Sequence, residues 1–158
     1  MLAMWLREMA SNDVLWIGII IMFLAQFLKP FTYWLRGQEF DWHHISATGG
    51  MPSSHTALTS AVATGVGLEQ GFGSAYFAIA VAVTMIVTYD AAGVRRQAGE
   101  QARAINVIIA EVLSGHPLER IRFREVLGHS RREVTVGIFF GIALMMLWKL
   151  VVQPLFIR

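Results

Sequence analysis

Four apolar stretches, separated by short polar breaks, dominate the chain: residues 14–35, 57–68, 72–89 and 134–152. A helix that crosses a bilayer core needs about 20 predominantly apolar residues. The first, third and fourth stretches meet that length, the third narrowly. The second is short enough to be a buried core helix or a half-span. Within the first stretch, Trp16, Phe23 and Leu24 leave almost no polar face, which argues against a soluble amphipathic bundle. Nor does it read as a signal peptide, because Glu8 and Asp13 precede or open it and no small-x-small site comes before Lys29. The pattern predicts an all-α integral membrane helical bundle with about four membrane-embedded helices, in a single domain over residues 1–158.

Between the third and fourth stretches the hydrophobic pattern changes. Ala98, Ala102, Ile105, Ile108, Ile109 and Val112 supply an apolar face, and Arg96, Glu100 and Arg103 a polar one. That spacing predicts an amphipathic helix ended by the "SGHP" at residues 114–117. A shorter basic helix is expected over residues 118–127, with Gly128 as its stop. Together they form a basic amphipathic insertion over about residues 93–132. Thr56, Ser60, Thr64, Gly67 and Gly71 form one small-residue stripe, and Gly137 and Gly141 a G-x-x-x-G pair. Such stripes let membrane helices approach closely. They suit tight packing within one chain, and with the short second stretch they also suit a homodimer that completes its core between chains.

Composition agrees with the membrane reading. The 158 residues are 55% hydrophobic and only 15% charged, against about 25% charged in an average soluble domain. With no cysteine, there is neither a disulfide framework nor a thiolate metal site. The net charge of +2 is small but unevenly spread. Arg95, Arg96, Arg103, Arg120, Arg122, Arg124, Arg131 and Arg132 lie between the third and fourth stretches, and Arg36 falls on the same side. The opposite side carries little beyond Arg7 and Arg158. Positive charge concentrates in cytoplasmic loops, so the arginine-rich end is expected to face the cytoplasm from the cell inner membrane or an organelle membrane. The bilayer, not nucleic acid, is the expected partner.

The most polar and most bendable segment, "GGMPSSHT" at residues 49–56, stands directly before the second apolar stretch. Pro52 suits the first turn of the helix that follows, with Ser53 and Ser54 among its first residues. Free N–H groups at a helix start bind anions, phosphate especially. His55 adds a group that titrates near neutrality. An ordinary N-cap would use the same serines. Lys29 and Arg36, seven positions apart, can project from one helical face. His129 and Glu133 share a face too, where a carboxylate can fix the tautomer of an imidazole. Ser130-x-x-Glu133 also reads as a capping box, which competes for the same carboxylate. His43 and His44 are further histidines near this end. With His55 and His129 they offer neutral imidazoles suited to zinc, but no H-x3-H or H-E-x-x-H spacing supports a metal.

Taken together, K-x6-R, P-S-x-H, a basic segment and H-x3-acid resemble the type 2 phosphatidic acid phosphatase superfamily, which includes lipid phosphatases and vanadium haloperoxidases. More closely, "TGGMPSSHTA", "YDAAGVRRQAGEQA" and "LGHSRREVTVG" resemble its divergent bacterial and plant branch, over about residues 26–141. The resemblance implies a metal-independent, cofactor-free reaction. His129 would be the nucleophile that forms a phosphohistidine, Glu133 its orienting partner and His55 the general acid. Lys29, Arg36, Ser53 and Ser54 would bind phosphate. Three positions depart from the wider pattern: Gly37 follows Arg36 in place of proline, Ser54 stands where glycine is usual, and Arg122-Phe123 replaces the Ser-Arg pair before the nucleophile. We read the third motif as split, with Arg95 or Arg96 supplying the guanidinium and His129 arriving after the inserted hairpin. Asp90 then reaches the same surface, either as a functional carboxylate or as an ion-pair partner of those arginines.

The resemblance therefore implies a membrane lipid phosphatase that cleaves a phosphate or pyrophosphate ester at the cytoplasmic interface. The alternatives are a catalytically silent protein that binds or moves anionic lipid through the same pocket, and a vanadate-dependent oxidase.

Overall fold

The computed structural model describes residues 1–46, 49–112 and 128–156, without the side chains of Arg95, Arg96 and residues 110–112. Every regular element among them is helical. In chain order these are α1 (Leu2–Ala10), α2 (Asp13–Phe27), α3 (Lys29–Leu35), a 3₁₀ turn (Trp42–Ser46), α4 (Ser54–Gln70) and α5 (Ala75–Tyr89). A π turn (Asp90–Val94) leads into α6 (Arg95–Val112), and α7 (Arg131–Leu147) passes through a second π turn (Trp148–Val152) into α8 (Gln153–Phe156).

Three continuous helical runs are long and apolar enough to cross a membrane: Asp13–Leu35, Ala75–Ile109 and Arg131–Phe156. The fourth expected segment is α4. Its 17 residues reach about 25 Å, short of a bilayer core, and it lies between α2, α5 and α7. Shortness and burial go together here. Thr56, Ala57, Ser60, Ala61, Gly65 and Gly67 are buried, and none is large.

Lipid is as apolar as leucine, so contact between helices in a bilayer rests on close packing more than on exclusion of water. Glycine supplies that closeness. A methyl on Gly137 would stand 2.7 Å from the Ser53 carbonyl oxygen, and one on Gly141 would collide with the Ala57 carbonyl and the Ser60 hydroxyl. On the other flank Gly18 of α2 lies against Leu58 and Val62. Val14, Ile21, Ala25, Ala57, Ala61 and Met145 complete the core of α2, α4 and α7. Gly71, expected in the stripe, instead ends α4 with φ +85°.

The expected amphipathic helix is α6, which α5 reaches directly through the π turn. The basic helix expected over residues 118–127 lies outside the described residues.

The alternating helices give the bundle two polar ends. At one end the Lys149 ammonium is held by Asp13 at the start of α2, at 2.7 Å, and by Glu69 near the end of α4. The Trp148 indole and the Gln153 amide also donate to Asp13. At the other end the starts of α3, α4 and α7 converge, and the candidate site is there.

Candidate functional site

The site is built around Glu133, in the first turn of α7. Ser130 caps that helix: its hydroxyl accepts from the Glu133 N–H at 3.3 Å, while Glu133 Oε2 accepts from the Ser130 N–H at 3.1 Å. The same Oε2 lies 3.4 Å from His129 Nδ1. The capping box and the orienting pair, rivals in the sequence, are therefore both present. The second carboxylate oxygen, Oε1, accepts from Arg36 Nη1 at 3.4 Å. His129 is buried, and its backbone N–H donates to the Ala91 carbonyl of the π turn at 3.1 Å.

The two predicted cations reach this carboxylate from α3. Lys29 opens that helix and is only 1% exposed, within Coulombic reach of Glu133. Lysine is almost never so buried without a partner. Arg36 caps the far end of α3 and remains partly exposed, its second amino group 3.5 Å from Met51 Sδ.

Residues 50–53 are lashed to both neighbours. The Thr32 hydroxyl donates to the Met51 carbonyl at 2.6 Å, and the Ser53 N–H donates to the Glu133 carbonyl at 3.1 Å. Gly50, with φ +91°, lies flat on Tyr33, where a methyl would stand 2.9 Å from the ring. The other predicted helix start shifts slightly. Pro52 precedes the N-cap, Ser53 is the N-cap, and α4 begins at Ser54. The Ser53 hydroxyl pairs with the Thr56 hydroxyl at 2.9 Å, and Ser53 makes no side-chain cap bond to the start of α4. The N–H donors there, with the helix dipole behind them, favour an anion. Ser54 is buried in that first turn.

His55 is placed differently from the rest. α4 turns Ser53, Ala57 and Ser60 toward α7, and Ser60 donates to the Ile138 carbonyl at 3.2 Å. His55 follows Ser53 by two residues, about 200° round the helix. It is exposed and lines a 230 Å³ cavity with Met22, Phe23 and Gln26 of α2 and with Ser54. The structure thus brings Lys29, Arg36, Ser53, His129 and Glu133 together and sets His55 on the face of α4 turned away from α7. Asp90 opens the π turn beside Ala91. Arg95 and Arg96 open α6, and their side chains lie outside the description, as do Arg122 and Arg124.

His43 and His44 are fastened elsewhere. His43 Nδ1 pairs with Asp41 Oδ1 at 2.7 Å, and the His44 ring stacks on Tyr33 at 4.1 Å. The His43 backbone N–H is the main cause holding the Asp41 carboxyl below its usual range. Among the described residues, no group of three or more His, Asp or Glu side chains gathers into a metal-binding set. Thr32 and Tyr33 were not singled out by the sequence. Their signal was position, three and four residues after Lys29 on the same helical face.

The sequence model of the Divergent PAP2 family matches residues 10–144, a stretch that holds every residue of this cluster. The chain belongs to that family. A relative of the chain is the "Uncharacterized membrane protein YuiD" of Bacillus subtilis (strain 168). It is 34% identical over 148 residues, covering 87% of this chain and 94% of the relative. No solved structure matches the chain. Divergent PAP2 membership and the three long apolar helices together make it a membrane protein of PAP2-related kind.

Proposed function

We propose that the protein is a lipid phosphatase that works through a phosphohistidine on His129, with the site end of the bundle facing the cytoplasm. The observation that carries this reading is the bond of His129 Nδ1 to Glu133. It keeps the proton on Nδ1 and leaves the Nε2 lone pair to attack phosphorus. The N–P bond forms as the P–O bond to the lipid breaks, and the departing oxygen takes a proton from an acid to become an alcohol. Water then attacks phosphorus, the N–P bond breaks, and phosphate leaves. Lys29, Arg36 and the N–H groups at the start of α4 offset the charge on the phosphoryl oxygens. The family resemblance assigns the acid to His55, with Arg95 or Arg96 and Ser54 as further phosphate contacts.

One observation favours a second reading, a protein that binds anionic lipid without turning it over. His55 lines a cavity on the α2 side of α4 with Met22, Phe23, Gln26 and Ser54. The test is acid-stable versus acid-labile phosphate on protein quenched during incubation with ³²P-labelled lipid phosphates. Acid-labile label lost in His129→Ala, and formed more slowly in His55→Ala, supports the phosphatase. Tight lipid binding with no labelled protein and no released phosphate supports the second reading.

A further inference from the structure

We propose that the membrane-facing crevice between α5 and α7 seats a single apolar chain of the lipid whose phosphate occupies the His129 site; the inference rests on reading that site as one for a lipid phosphate. Two cavities make up the crevice. The upper one, of 340 Å³, is lined by Met85, Thr88, Tyr89, Ala92, Gly93 and Arg131. The lower one, of 330 Å³, continues between α4, α5 and α7 past Thr84, Met85, Ile138, Ile142 and Met146 to Phe77. Met85 lines both, so the two adjoin along α5, and we read them as one track.

The track begins beside the nucleophile. Ala92 and Arg131, on its upper wall, flank the hydrogen bond from His129 to Ala91. Arg131 gives the mouth the charge that complements an anionic headgroup. Below it the walls become almost wholly apolar, and from Arg131 to Met146 the track follows α7 for about 22 Å. That is longer than half of a bilayer core of roughly 30 Å, so the track fits one extended chain. α5 forms the open wall, with no fully buried residue, so a chain can enter from the bilayer without displacing core packing.

Thr88 supplies an independent observation. Its hydroxyl is buried and has no acceptor among the described residues. The other described threonines use theirs within the protein: Thr84 donates to Ala80, Thr64 to Ser60 and Thr135 to Arg131. A buried hydroxyl left unmade is costly, and a rotation of the Thr88 side chain, which lines the upper cavity, would let it donate to a linking oxygen there. The ligand class is thus a phosphate monoester or diphosphate on one long chain, prenyl or monoacyl, and not a diacyl lipid.

The test is photocrosslinking of the protein in nanodiscs with single-chain phosphates, one prenyl and one monoacyl, each carrying a diazirine near the chain end. Adducts mapped by mass spectrometry are expected on α5 and α7 with either or both probes, competed by unlabelled single-chain phosphate more strongly than by phosphatidate. Ile142→Trp, which fills the lower cavity, is expected to abolish them, while Leu150→Trp on the lipid-facing side retains them. Thr88→Val is expected to weaken probe binding about fivefold and Thr88→Ser to restore it. Adducts confined to Phe23 and Leu24 of α2, absence of adducts, or preference for diacyl lipid overturns the proposal. Adducts on α5 and α7 without any phosphate release would sink the phosphatase reading alone. Release with adducts only on α2 would sink the chain seat alone.

Discussion

Gly137 stands so close to Ser53 that a methyl on its α-carbon would lie 2.7 Å from the Ser53 carbonyl oxygen and 3.2 Å from the Ser53 nitrogen. That nitrogen donates to the Glu133 carbonyl one turn earlier on α7. Helix packing and site geometry are therefore one relationship, because the residue that caps α4 is held by the helix that carries His129 and Glu133.

Gly137→Ala should consequently act on the site as well as on the fold. Backbone cannot yield as a flexible side chain does, so α4 and α7 are pushed apart at a cost of about 1–3 kcal/mol. Misplacing a phosphate-binding helix start by even 1 Å costs on the order of 10²-fold in rate. Thermal unfolding in detergent and phosphate release, measured side by side, check this. Retained activity at a lowered melting temperature would show that Ser53 is not part of the site.

Glu133→Gln should separate two roles that share one carboxylate. The amide can still accept from the Ser130 N–H, so the cap survives, but it no longer stabilises the charged imidazole or attracts Lys29 and Arg36. Loss of an orienting carboxylate of this kind lowers turnover by roughly 10²–10⁴-fold. The decisive readout is the rate of phosphoenzyme formation in a single turnover, since a purely structural cap would leave that rate unchanged in folded protein.

Arg36→Lys and Lys29→Met should differ in kind. Arg36 is partly exposed and makes one 3.4 Å bond, so its replacement mainly raises KM, by about tenfold. Lys29 is buried, and its loss removes a hidden positive charge within Coulombic reach of Glu133. Lys29→Met is expected to cost stability as well as activity. Michaelis constants and melting temperatures for both variants test the contrast.

Much of this architecture was legible in the residues. The lengths of the apolar stretches gave the three long helices, and helical spacing placed Lys29 with Arg36 and His129 with Glu133 on shared faces. The ordering of the GGMPSSHT segment was legible to within a residue or two. What periodicity within one segment could not show was the meeting of distant segments. Asp13, Glu69 and Lys149 are far apart in sequence and read as isolated charges, yet they form one cluster. The orientation of His55 was hidden for a related reason. Its motif neighbours Ser53 and Ser54 suggested a common site, and only the packing of Ala57 and Ser60 on α7 fixes which way the face between them points. The π turn that joins α5 to α6 has no strong residue signature at all.

The expected cytoplasmic position of the site end can be checked because the chain has no cysteine. A single cysteine at Gln38, an exposed position beyond α3 near the site, is expected to react with a membrane-impermeant maleimide only after cells are opened. One at Gly73, an exposed position in the α4–α5 turn, is expected to react in intact cells or spheroplasts. The reverse pattern would place the arginine-rich end outside and make an extracytoplasmic phosphatase the reading to pursue.

Lys149 tests whether the two ends act separately. Its ammonium is held by Asp13 and Glu69, ties the start of α2 to the ends of α4 and α7, and is itself nearly buried. Asp13 is partly buried and Glu69 is more exposed, so solvent screening weakens the Glu69 contact more than the Asp13 contact. Removing the cation in Lys149→Met leaves Asp13 with only the Trp148 and Gln153 donors, at a cost of about 1–3 kcal/mol. Adding Asp13→Asn removes the stranded charge, so the double variant should recover part of that loss. Melting temperatures of the two single variants and the double variant measure the coupling. Phosphate affinity at the far end should stay unchanged throughout, because none of these residues touches α3 or the start of α4. A variant that loses phosphate binding while keeping its melting temperature would show that the two ends communicate through α4.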